Sequence, residues 1–151
     1  MYILNKLSLK RLFVFSFIFI SVNLLAEPVL EEIVVSARKV GENVQDVPIS
    51  MSVFTSSDIS DAGIERPEDF IALTPNVVMA NTVNVGDTLV TIRGLTSTRD
   101  AESNFAFVVD GVLQTNPNAF NRELLDIAQI EVLKGPQGAL YGRNATSGAI
   151  L

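Results

Sequence analysis

Alternation of apolar and polar side chains is clearest over residues 48–55, where Ile49, Met51 and Val53 share one face and Ser50 and Ser52 the other, as in a strand buried on one side. Thr55-Ser56-Ser57-Asp58 then offers helix-start chemistry and Gly63 a stop, so a short helix is expected over residues 58–62. Pro67-Glu68-Asp69 suits the first turn of a second helix, with Phe70, Ile71 and Leu73 toward a core and Thr74-Pro75 at its end. Residues 80–87 read as a polar, glycine-bearing loop, 89–92 as a strand running into Arg93-Gly94, and 96–104 as a second polar loop. The unbroken apolar run 105–109 predicts a strand covered on both faces, and Asp110-Gly111 before Val112-Leu113 is a hairpin signal. A third polar loop spans 114–121, a short helix capped by Asn121 is expected over 122–128, and 130–133 returns as a strand. Lys134-Gly135-Pro136 stops that strand, and Gly138, Gly142 and Gly148 interrupt the small-residue stretch that follows. Such recurrence points to backbone wedged closely against a neighbour. The pattern as a whole predicts an α+β fold, a small mixed β-sheet with short helices.

The N-terminal third reads differently. Lys6, Lys10 and Arg11 precede an apolar run over 12–25, and Ala26 stands before Glu27-Pro28, the layout of a secretory signal peptide over residues 1–26. The alternative, a membrane anchor, fits less well because the run is shorter than the ~20 apolar residues of a spanning helix. Residues 27–47 carry a β-prone island, Ile33, Val34 and Val35, between charged flanks. They read as a flexible segment bearing a strand-forming motif, with an ordinary first strand of the domain as the alternative. The domain proper is expected over 48–151.

Charge and composition narrow the chemistry. Removal of the signal segment takes three of the 11 basic residues and none of the 17 acidic ones, so the formal charge moves from −6 to −9 and nucleic acid is an unsuitable partner. The chain has no cysteine and no histidine, hence no disulfides, no triad base and no imidazole metal ligand. Neither a G-x-S-x-G nor a phosphate loop is present, and the carboxylates are scattered as on a solvated surface. No catalytic residue, metal site or cofactor is expected.

Four pieces in order carry a resemblance: E-E-I-V-V-S-A at 31–37, V-P-I-S-M-S-V-F-T at 47–55, I-R-G at 92–94 with V-D-G-V at 109–112, and V-L-K-G-P-Q-G-A-L-Y-G-R-N-A-T-S-G-A-I at 132–150. From residue 31 onward the chain resembles the N-terminal plug domain of a TonB-dependent outer-membrane receptor. The resemblance implies a plug seated in a 22-stranded barrel that this chain does not contain, so the chain is expected to be a fragment of a longer receptor. It implies a TonB box at 31–37, with Glu32, Ile33, Val34, Val35, Ser36 and Ala37 contacting TonB as an added strand.

The plug motif itself would comprise Arg93, Gly94, Asp110 and Gly111, then Lys134, Gly135, Pro136, Gly138, Tyr141, Gly142, Arg143 and Gly148. Arg93 and Arg143 read as largely buried, and by resemblance such charges pair with barrel acids; Lys134 stands where the family more often has Arg. The polar loops would face outward and meet ligand, with Asn84, Asp87, Arg99, Asn116 and Asn118 as candidate contacts. The implied role is gate and energy coupler for import of a scarce ligand, a ferric siderophore complex foremost, at the bacterial outer membrane. The competing reading is a self-contained periplasmic binding or signalling module.

Overall fold

The computed structural model describes residues 32–81, 88–98 and 102–151, so the expected signal segment and Glu31 lie outside the described residues. In chain order the elements are β1 (Val34–Val35), β2 (Glu42–Asn43), β3 (Met51–Thr55), α1 (Ser56–Ala62), α2 (Pro67–Ala72), β4 (Val77–Asn81), β5 (Thr88–Ile92) and β6 (Leu95–Thr96). They continue with β7 (Phe105–Val109), β8 (Val112–Gln114), a 3-10 turn (Pro117–Ala119), β9 (Gln129–Lys134), α3 (Gly138–Tyr141) and β10 (Gly148–Ile150). Three small sheets result, ordered β1-β2, β3-β9-β10-β7-β8 and β4-β5-β6. This is the expected mixed α+β class, and none of these sheets closes into a barrel among the described residues.

The five-stranded sheet is the organising layer. Its pairs are antiparallel except β10 beside β7, which run parallel. Side-chain alternation divides its two faces between two cores. Phe54, Phe105, Phe107, Ile130, Val132 and Ile150 point to the first, where Ile64, Phe70, Ile71, Val77, Val90, Ile92 and Phe120 meet them. Met51, Val53, Ala106, Val108, Leu133 and Ala149 point to the second, against Val35, Ala37, Val47, Tyr141 and Ala145.

Phe120 is the hub of the first core. Its ring lies 5.0 Å from Phe107, 5.2 Å from Phe105 and 6.3 Å from Phe70, all edge-to-face. It sits inside the stretch 114–121 expected to be a polar loop; one buried aromatic there ties the loop to the sheet.

Local chemistry explains the elements and the departures from expectation. Thr55 caps α1 with a reciprocal pair, its hydroxyl accepting from the Asp58 N–H and Asp58 accepting from the Thr55 N–H, so the helix begins at Ser56, two residues early. On α2 the buried stripe is Pro67, Phe70, Ile71 and Thr74, whereas Leu73 falls off that stripe and is exposed. Thr74 is tolerated there because its hydroxyl donates to the Phe70 carbonyl at 2.7 Å.

Residues 122–128 do not form the expected helix. Leu124 N–H donates instead to the Glu65 carbonyl at 2.7 Å, and Asp126 adopts φ +56°, which breaks a helix; Leu124 and Ile127 thereby reach the first core from an irregular segment. Of the segment expected as a flexible tail, residues 32–47 are laid down in the structure as a layer on the sheet, because Val35, Ala37 and Val47 find apolar partners on the second face. Residues 80 and 81 close β4, and Thr96 belongs to β6, so the first two polar loops are shorter than the sequence indicates.

Candidate functional site

Two clusters carry chemistry beyond packing. The first is the residue 32–37 segment and the strand beneath it. Val35 and Ala37 are buried, while Val34 and Ser36 turn outward. One edge of β1 pairs with β2, and Val44 N–H extends that pairing to the Ile33 carbonyl at 3.0 Å. The main-chain groups of Val34 and Ser36 therefore face the opposite edge. There the Gln129 amide donates to the Val34 carbonyl at 3.1 Å, and Glu131 Oε1 accepts from Ser36 N–H at 2.7 Å and Ser36 Oγ at 3.0 Å. The Tyr141 hydroxyl donates to the Ala37 carbonyl at 2.9 Å.

Glu131 is only 4% exposed, and its second oxygen has no partner among the described residues. Burial, and secondarily the Glu131 charge, hold the Tyr141 phenol above its usual range, so it remains a donor. Lys39 Nζ stands 5.7 Å over the Tyr141 ring. Gln129 and Glu131 were not singled out in the sequence. The available signal was a carboxylate between Ile130 and Val132, on the opposite face of an otherwise apolar buried strand.

The second cluster joins Arg93 to the stretch after β9. Arg93-Gly94 forms a two-residue hairpin turn, with φ +50° and +82° and Ile92 opposite Leu95, the same geometry as Asp110-Gly111 between β7 and β8. Only the Asp-Gly turn was legible as such. The Arg93 guanidinium lies against Gly135, where an added Cβ would meet Nη1 at 2.9 Å. Lys134 is buried beside it, its ammonium donating to Ser52 Oγ at 3.1 Å, and burial together with the Arg93 charge depresses its pKa. Neither cation forms an ion pair among the described residues.

The expectation that Arg93 and Arg143 are largely buried is corrected: both are exposed, Arg143 pairing with Glu102 at 2.7 Å. Each flanks a glycine turn and is left exposed by the described residues. Close backbone approach is required at Gly148, where a Cβ would run into the Leu133 carbonyl. Gly138 has nothing near its would-be Cβ and an ordinary φ, so the close-approach expectation fails there. Pro136 is exposed at the turn.

Asn84, Asp87 and Arg99 lie outside the described residues. Asn116 caps the 3-10 turn by accepting from Asn118 N–H at 3.0 Å, and Asn118 is exposed. Asn104, also unremarked in the sequence, accepts from Ser97 and Ser147 hydroxyls and tethers its loop to β10. Among the described residues no group of three or more acidic, histidine or cysteine side chains could hold a metal, and no helix is long and apolar enough to cross a membrane.

Residues 43–149 match the family model of the TonB-dependent receptor plug domain. The chain belongs to that family. The "Pesticin receptor" of Yersinia pestis is 32% identical over 103 residues, covering 68% of this chain and 15% of the relative. The "Iron-regulated outer membrane virulence protein" of Vibrio cholerae is 31% identical over 133 residues, covering 80% of this chain and 19% of the relative. Among solved structures, the ferric yersiniabactin uptake receptor FyuA of Yersinia pestis superimposes with a TM-score of 0.62 at 31% identity, over 68% of this chain and 16% of that one. The chain thus spans less than a fifth of the length of these relatives. The segment 32–37 precedes the matched range.

Proposed function

We propose that this chain is the plug and energy-coupling part of a TonB-dependent receptor that imports a ferric siderophore complex across the bacterial outer membrane after export by its signal peptide. The observation that carries the reading is the pairing of a plug-family match over residues 43–149 with a short β-strand, Val34–Val35, lying ahead of it and beside an open groove of about 900 Å³. A strand with polar main-chain groups at a groove is the kind of element a partner captures by strand addition, with main-chain hydrogen bonds for affinity and alternate side chains for register. In this reading Glu32 to Ala37 is the TonB box, and ligand bound above the plug makes it available on the periplasmic side.

Arg93 and Lys134, which form no ion pair among the described residues, support seating inside a barrel. Two positive groups brought together without an acid are costly in isolation and call for carboxylates from elsewhere; a barrel wall would supply them, and Arg143 would likewise find its cover there. The plug acts as a gate. It carries no constellation for bond-making chemistry, and ligand choice would rest largely on loops of the surrounding receptor.

Deleting residues 33–37 from the complete receptor is expected to abolish energised uptake of ferric siderophore while leaving surface binding unchanged. Uptake at the normal rate after the deletion would refute the proposal.

A further inference from the structure

The connection between β6 and β7 runs from the three-stranded sheet to the five-stranded one, and one side chain holds its two ends. Ser97 carries the β5-β6 pairing one residue further, its N–H donating to the Val90 carbonyl at 3.0 Å. Ser147 does the same for β9 and β10, its carbonyl accepting from the Gly135 N–H at 2.9 Å. Both serines are buried, and each is fixed by a main-chain bond within its own sheet. Asn104, the last residue before β7, stands between them: its Oδ1 accepts from Ser97 Oγ at 2.8 Å and lies 3.1 Å from Ser147 Oγ. The Asn104 carbonyl accepts from the Ser147 N–H at 2.9 Å and from Thr146 Oγ1 at 3.1 Å, with Ser147 Oγ 3.0 Å away.

A carbonyl oxygen has two lone pairs, and the Ser147 N–H and Thr146 hydroxyl fill those of the Asn104 main chain. The single proton of the Ser147 hydroxyl therefore goes to Asn104 Oδ1, which then serves one buried hydroxyl from each sheet. The amide does so without bringing a charge between the sheets. The other tie on this connection, Glu102 to Arg143 at 2.7 Å, joins two exposed side chains and is screened by water, so it contributes little by itself. We infer that Asn104 is the positioning residue of the connection between Ser97 and Asn104, pinning its two ends across the sheets so that it meets ligand as a fixed surface. The inference rests on the reading of the polar loops as ligand-facing and adds the residue that sets one of them. A segment held in place before binding loses less freedom when ligand arrives, so the pin acts on affinity and not on the later coupling step.

The 151 residues contain no cysteine, so a single introduced thiol can carry a nitroxide. In the complete receptor in outer-membrane vesicles, with any barrel cysteine replaced by serine, Thr98→Cys reports on the connection. Val112→Cys, exposed on the hairpin at the other end of β7, reports on the rest of the sheet. Asn104→Ala is expected to mobilise the nitroxide at position 98 and leave that at 112 unchanged, as a local loosening does. Asn104→Asp, which keeps the acceptor oxygen, should restore the immobile spectrum. Equal spectra at 98 with and without Asn104→Ala would overturn the inference, and so would equal mobilisation at both sites, the mark of general loosening. If Asn104→Ala fails to reach the membrane, Ser97→Ala, which removes only the 2.8 Å bond, carries the same comparison.

The second arm follows uptake of radioactive iron, supplied in cell-free medium from the iron-starved source strain, by cells carrying the receptor. Asn104→Ala is expected to raise KM about tenfold with the maximal rate unchanged, and Asn104→Asp to bring KM back. An unchanged KM, with or without a lowered maximal rate, would overturn the inference. Absence of uptake by the unaltered receptor would refute the ferric siderophore reading instead; the nitroxide comparison then decides the inference, mobilisation reversed by Asn104→Asp upholding it and equal spectra overturning it.

Discussion

The two faces of the central sheet are covered by different means. The first is closed by large side chains brought from distant parts of the chain, with Phe120 edge-on to three other rings, and almost no polar group takes part. The second is closed without a cluster of rings, by Val35, Ala37, Val47 and Ala145 over Ala106, Leu133 and Ala149, and its outermost layer is fastened by hydrogen bonds to Gln129, Glu131 and Tyr141. Apolar burial is non-directional and is lost only by unpacking, whereas a few hydrogen bonds can be exchanged for equivalent bonds to water or to a partner at little net cost. One face is therefore built to persist and the other to open. Residues 32–37, proposed above as the coupling segment, lie on the second face.

The largest effect is expected on the persistent face. Phe120→Ala should destabilise the chain by about 3–5 kcal/mol, since it removes a buried aromatic and leaves a cavity at the meeting point of three rings; denaturant unfolding followed by far-ultraviolet dichroism measures it. On the opening face, Val35→Ala should cost only about 1 kcal/mol or less in the same assay, because the N-terminal layer can lift while the rest stays folded. A loss as large as that of Phe120→Ala would erase the distinction between the faces.

The smallest effect concerns Lys134, whose burial beside Arg93 depresses its pKa. Between that lowered value and 10.5 the unfolded chain binds more protons than the folded one, so stability should rise with pH across that window. Lys134→Met should remove this rise and stabilise the chain near neutral pH by about a few tenths of a kcal/mol, a small gain because the substitution also gives up the hydrogen bond to Ser52 Oγ. A falling midpoint between pH 8 and 10 in the unaltered chain would contradict the unpaired-cation account.

The sheet and its helices were legible because their signals are local: alternation over 49–53, the unbroken run 105–109, the Asp110-Gly111 turn and the caps around Thr55 and Gly63 each state their structure within a few residues. Phe120 was hidden, since a lone aromatic among asparagines carries no period, and the helix expected over 122–128 gave way to a tertiary hydrogen bond at Glu65 that no local pattern reveals. The N-terminal layer that covers the second face was hardly legible at all. Ile33 to Val35 reads equally as tail or strand until Leu133, Ala106 and Ala149 are known to offer it an apolar floor. Plug-motif residues stood out in sequence because their glycines and turns are local demands. Gln129 and Glu131 did not, because their role depends on a segment roughly ninety-five positions away.

The most direct test of the two-face account is native-state hydrogen exchange on the 151-residue chain, comparing the Val35 and Ser36 amides with those of Phe107 and Val132. The account predicts that Val35 and Ser36 exchange through a local opening far below the global unfolding free energy, and that Glu131→Ala lowers their protection further while Phe107 and Val132 keep theirs relative to global stability. Exchange of all four amides in one cooperative step, with or without Glu131, would contradict it.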